Sequence, residues 1–175
     1  FAKSSLVRCS ALSFLKELNQ LKLPVYDQWL KACRKIYHSF PLLSTNTSHS
    51  KSNFIDNYFL INRLSTTATR KEVFVPGSSG ASSEITMQAF IVRKGIRVLN
   101  SQGLGAMGFG LPAAIGCAFA SRTNRIILID GDGGFAMNLQ ELTLCKHYNL
   151  NIKIFILNNH GYGSIRQSQN RLFGG

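Results

Sequence analysis

Acid is the scarce commodity of this sequence. Aspartate and glutamate number 8 in 175 residues against 20 lysines and arginines, a formal net charge of +12. Such a balance invites a nucleic-acid or acidic-membrane partner. The excess is spread evenly, however. Residues 1–90 carry a net +6, as do residues 91–175. With no basic run and no RNA-type aromatic motif, a nucleic-acid module survives only as a remote alternative. Cysteines are few as well. Cys9, Cys33, Cys117 and Cys145 show no CxxC spacing, and no histidine stands at ligand spacing from two of them. That argues against a zinc site or a disulfide framework and for reduced thiols. The expected setting is therefore intracellular, the cytoplasm first and an organelle left open. Long apolar runs are also missing. Ala106–Ala120 is uncharged but too short to span a bilayer, and it contains three glycines and a proline. A buried helix with a glycine-rich entry is expected there, and no membrane partner. The apolar segment near the N-terminus is interrupted by Lys3, Arg8 and Lys16, unlike a signal peptide.

Hydrophobic residues make up 45% of the chain, enough for a sizeable core. The first residue is Phe1 and the last are Phe173, Gly174 and Gly175, so the chain is read as a fragment. Helical apolar spacing runs from Ser13 to Phe40 with a break at Pro24. A polar, Ser/Thr-rich linker follows at 41–53. It sets the expected division: 1–52 as the end of a preceding central domain with its linker, and 53–175 as a second, truncated domain. Phe54–Leu64 reads as helix. Beyond Glu72, β-branched runs at 73–75, 96–99, 125–129 and 152–157 alternate with helical stretches near 84–94, 109–121 and 135–148. Continuous apolar strands suit a parallel sheet buried on both faces. The expected fold class is α/β, a parallel sheet sandwiched by helices.

Each strand is followed by a loop rich in glycine or asparagine: VPGSSGASS (75–83), GLGAMGFG (103–110), GDGG (131–134) and NNHGYG (158–163). In parallel sheets the carboxyl ends of the strands share one edge, so these loops can converge on one ligand. Glycines let backbone N–H groups approach an anion, which points to phosphate. Asp132 and Asn159 close two such strands. A carboxylate, an amide and a nearby backbone carbonyl are hard oxygen donors suited to Mg²⁺. Taken singly, Asp132 as a helix cap and the asparagines as turn formers are simpler explanations; their pairing favours the metal. A competing reading takes Gly103, Gly105 and Gly108 as GxGxxG with Asp130 as the ribose-binding acid of a Rossmann-type NAD or FAD domain. It leaves GDGG and NNHGYG without a role.

GDGGFAMNLQEL (131–142) followed by LNNHGYG (157–163) resembles the GDG…NN motif of thiamine diphosphate-dependent enzymes. GLGAMGFGLPAAIG (103–116) is similar to the matching segment of acetolactate synthase large subunits. The resemblance implies the thiamine diphosphate-binding fold, incomplete at its C-terminus, and an enzyme that decarboxylates 2-oxo acids and joins them to a second carbonyl compound. It implies Mg²⁺ on Asp132, Asn159 and the carbonyl of Gly161, and diphosphate contacts from Gly131, Gly133 and Gly134. Met107 is the implied wedge beneath the cofactor, and the Gly105 carbonyl the acceptor for its amino group. Ser78, Ser79 and Tyr162 are further implied cofactor contacts. Acetolactate synthases carry Gly-Gln-His in the first loop where this chain has Gly77-Ser78-Ser79-Gly80, and 160–169 also departs from their pattern. No catalytic residue is assignable, because the activating glutamate of such enzymes belongs to another domain. The implied assembly is a homodimer or homotetramer, with FAD a possible second cofactor of the full-length protein. The fragment alone is expected to be inactive.

Overall fold

The computed structural model describes residues 8–21, 26–41 and 54–174. The chain divides into two compact units, Phe1–Pro41 and Leu42–Gly175. In the first, Ser10 caps α1 (Ala11–Gln20) by accepting the Ser13 N–H at 3.1 Å. α2 (Asp27–Ser39) follows. These helices occupy the stretch predicted as helical; the break expected at Pro24 lies outside the described residues.

The second unit opens with α3 (Asn57–Thr67), capped by Asp56, whose carboxylate accepts the Phe59 N–H at 3.0 Å. Four strands follow, all close to their predicted positions: β1 (Glu72–Pro76), β2 (Arg97–Val98), β3 (Arg125–Gly131) and β4 (Ile152–Leu157). They form one parallel sheet in the order β2-β1-β3-β4. Val73 lies beside Ile126 and Val75 beside Leu128. Side chains alternate across a strand, so the apolar runs feed two cores. Val73, Val75, Ile126 and Leu128 pack on one face against Leu111, Ala114, Ile115 and Ala118 of α5 (Gly110–Ala120). Phe74, Ile127 and Ile129 pack on the other with Ile61 of α3 and Ala89 of α4 (Thr86–Ala89). Both faces are covered, which is why these strands read as unbroken apolar runs. At the opposite edge from the loops, buried Glu72 pairs with Arg125 and joins the starts of β1 and β3.

Two predicted helices are shorter than expected. The stretch at 84–94 is a π-helical turn at 81–85 that runs into α4 and ends at Ala89. Phe90 turns extended and packs edge-on against Phe74, centroids 4.6 Å apart. Arg93 then leaves the helical register to donate to the carbonyls of Ser65, Thr66 and Ala68. The stretch at 135–148 is three pieces: α6 (Asp132–Ala136), a 3₁₀ turn at 139–141 and α7 (Leu142–His147). Asn138 makes the break. Its backbone is non-helical and its amide donates to the Gly108 carbonyl at 2.8 Å. α8 (Gly163–Phe173) lies where no helix was expected.

Leu128 is fully buried at the centre of the sheet. Leu128→Ala should lower unfolding free energy by about 2–5 kcal/mol, read by urea denaturation.

Candidate functional site

Strand order locates the site. β2 lies on one side of β1, and the chain then crosses back over β1 to place β3 and β4 on the other. This reversal falls between β1 and β3, and ligands of open α/β sheets bind outside the carboxyl ends at such a point. A cavity of about 540 Å³ opens there. All four loops reach it: Ser79–Ser82 after β1, Met107 after β2, Gly131–Gly134 after β3, and Asn158, Asn159 and Tyr162–Ile165 after β4. Phe54, Ile55 and Leu60 form an apolar wall beside the polar floor.

Asp130 sits beneath that floor. The carboxylate is 4% exposed; its Oδ1 accepts the Gly131 N–H at 2.8 Å, and its Oδ2 has no hydrogen-bond partner among the described residues. Burial pushes its pKa up to about 6, with the Gly131 N–H working the other way. Three glycines from three segments close around it. A Cβ at Gly77 would lie 2.9 Å from the Asp130 Cγ, and one at Gly110 would lie 3.1 Å from it. A Cβ at Gly134 would stand 2.9 Å from Oδ1. Any side chain larger than hydrogen at Gly77 or Gly110 would overlap the carboxylate oxygens. This burial removes the Rossmann alternative. Asp130 cannot reach a ribose, and β1 separates β3 from the strand that leads into Gly103-Gly105-Gly108.

Asp132 and Asn159 are brought to adjoining loops. The Asp132 carboxylate accepts N–H groups from Gly133 at 3.0 Å and from Gly161 at 2.6 Å, so it ties the end of β3 to the loop after β4. A Cβ at Gly163 would stand 2.6 Å from the Asn159 amide nitrogen, and one at Gly133 would stand 3.1 Å from the Tyr162 ring. The loop after β4 holds three successive residues at positive φ: His160 at 64°, Gly161 at 85° and Tyr162 at 48°. Two of them are not glycine, and such local strain persists only where the surroundings impose it. Asn158 supports the turn by accepting the His160 N–H at 2.9 Å.

Among the other expected contacts, Ser79 and half-exposed Met107 line the cavity, whereas Ser78 is buried and does not. Gly105 is exposed at φ 62° and lies outside the cavity lining. Ser164, Ile165 and Arg166 were not singled out from the sequence. Ser164 and Ile165 line the cavity from the first turn of α8, and Arg166 braces the loop before it. Among the described residues no cluster of three His, Cys, Asp or Glu side chains offers an alternative metal centre, and no helix is long and apolar enough to cross a membrane.

Comparison with known proteins agrees with this geometry. Residues 78–175 match the family described as thiamine pyrophosphate enzyme, C-terminal TPP binding domain. This chain belongs to the thiamine pyrophosphate enzyme family. It is 37% identical over 163 residues to an acetolactate synthase large subunit of Cyanidium caldarium, covering 93% of this chain and 27% of that protein. It is 31% identical over 169 residues to the acetolactate synthase large subunit of Lactococcus lactis subsp. lactis (strain IL1403), covering 94% of this chain and 28% of that protein. With acetolactate synthase 2, chloroplastic, of Nicotiana tabacum it shares 49% identity over 86 residues, 49% of this chain and 13% of that one. The chain thus spans about a quarter of the length of the first two relatives. As a thiamine diphosphate-binding domain, it presents the floor, the two motif loops and the switch point on one edge.

The glycine clasp around Asp130 generates a paired test. Gly77→Ala and Gly110→Ala should each lower stability by roughly 1–3 kcal/mol through overpacking. Gly116→Ala, in mid-α5 with nothing within 4 Å of the added Cβ, should raise it by about 0.5–1 kcal/mol. Chemical denaturation of the three variants checks both signs.

Proposed function

We propose that this domain anchors the diphosphate of thiamine diphosphate through Mg²⁺ held by Asp132, Asn159 and the carbonyl of Gly161. The observation that carries the reading is the Gly161–Asp132 hydrogen bond at 2.6 Å, which draws the two motif loops together beside the cavity that Asp132 and Asn159 line, Gly161 itself standing outside that lining. The donor set suits the ion. One carboxylate, one amide oxygen and one backbone carbonyl are hard ligands, and phosphate oxygens and water complete a site of this kind. The glycines of the floor suit the diphosphate because they line the cavity without side chains and let backbone N–H groups approach an anion. Gly131, Gly133 and Gly134 then offer backbone contacts. Ser79 adds a hydroxyl at the cavity. Met107 and the wall of Phe54, Ile55 and Leu60 hold the apolar part and exclude water. Tyr162 closes the side next to Gly133.

When bound, thiamine diphosphate supplies a thiazolium carbon that adds to carbonyl groups and an electron sink for the negative charge that decarboxylation leaves. The residues of this chain bind and orient; none of them is assigned a proton-transfer role. The intact protein is proposed to act as an acetolactate synthase-like enzyme on 2-oxo acids, decarboxylating and joining them, as a homo-oligomer. Residues 1–52 are proposed to end a preceding domain. Resemblance to proteins named acetolactate synthase supports this substrate class.

In the intact protein, Asp132→Ala should abolish Mg²⁺-dependent binding of thiamine diphosphate, and Asn159→Ala should weaken it at least tenfold, both read by titration calorimetry. Wild-type affinity in Asp132→Ala would overturn the reading.

A further inference from the structure

We propose that Arg166 is the positioning residue that leaves the Gly161 carbonyl free for a cation, by occupying the other carbonyls of the loop after β4. The proposal rests on the functional reading above. Between Asn159 and Tyr162 the chain offers four carbonyl oxygens, and Arg166 takes three of them. Its Nη2 donates to the Asn159 carbonyl at 2.7 Å, and its Nη1 donates to the His160 carbonyl at 2.9 Å. Its own backbone N–H donates to the Tyr162 carbonyl at 2.9 Å, in the first turn of α8. The carbonyl of Gly161 accepts from no donor among the described residues.

The same contacts fix the orientation of that group. The peptide joining His160 to Gly161 is held at both ends, its N–H by the Asp132 carboxylate at 2.6 Å and its C=O by Arg166. The next peptide begins at the Gly161 carbonyl, between His160 and Tyr162, both of which are also held in the left-handed region. A planar guanidinium presents parallel N–H groups in a rigid fork and can span two successive carbonyls. A flexible ammonium has no such fork.

Charge alone predicts the opposite effect of removing Arg166. A guanidinium next to a bound cation repels it, so its loss would improve Mg²⁺ binding if Coulomb repulsion dominated. Arg166 is exposed, and its charge is screened by water. Orientation of ligands by neighbouring groups carries 10- to 100-fold in metal affinity. The positioning effect should win.

The test is Mg²⁺ titration of thiamine diphosphate binding to the intact protein, followed by calorimetry, with the melting temperature of the ligand-free protein measured alongside. Arg166→Ala should raise the half-saturating Mg²⁺ concentration about tenfold or more. Its melting temperature should stay unchanged, and cofactor affinity should recover at saturating Mg²⁺. Arg166→Lys should show a smaller rise. An unchanged or lowered Mg²⁺ requirement in Arg166→Ala overturns the proposal. So does a loss of binding that tracks a fall in melting temperature and that Mg²⁺ does not restore. If Arg166→Ala does not fold, Arg166→Lys decides: a raised requirement at unchanged melting temperature supports the proposal, and an unchanged requirement overturns it. Asp132→Ala in the same titration separates the two readings. Retained Mg²⁺-dependent binding in Asp132→Ala, or none in the wild type, overturns the functional reading and this one with it. Loss in Asp132→Ala beside wild-type behaviour in Arg166→Ala overturns this one alone.

Discussion

Three backbone segments at the carboxyl edge of the sheet are spaced by one buried carboxylate. Asp130 fills the gap between the first loop, the start of α5 and the GDGG turn, and each segment meets it with a glycine. A buried acid without full hydrogen bonding is costly. Here its size and position set how closely three backbone segments approach. The glycines are therefore needed for packing on Asp130, below the floor. Gly134 faces Asp130 and also lines the cavity.

Much of this was legible in the sequence. The strands were visible because Ile126–Ile129 and Ile154–Leu157 are continuous apolar runs, a pattern that suits cover on both faces; β3 has that cover, while β4 is only partly buried. The convergence of the four loops followed from parallel strands alone. The order β2-β1-β3-β4 was not legible, because periodicity reports burial and not which strand lies beside which. That order puts β1 between β2 and β3 and, with the burial of Asp130, disposes of the dinucleotide reading. The misjudged helices failed because of tertiary hydrogen bonds. Asn138 and Arg93 spend their side chains on distant carbonyls, and propensity does not register a hydrogen bond made 25 to 30 residues away.

The site was legible by residue type rather than by arrangement. Asp132 and Asn159 stood out because each sits beside glycine at the end of a strand. Arg166 did not, since an arginine in a polar stretch usually reads as a solvated side chain. Its role emerges only from counting where the loop's carbonyls go. Ser78 was expected to face the cavity and does not, because the loop after β1 turns it inward and presents Ser79 instead.

The bond between Gly161 and Asp132 joins residues 29 apart in sequence and closes α6, α7 and β4 into a ring. Among the described residues β4 pairs on one side, with β3. Closing the ring ties the turn after β3 to the loop after β4, so neither shifts without the other. Amide exchange at Gly161 and in the loop around it becomes a gauge of whether the ring is closed.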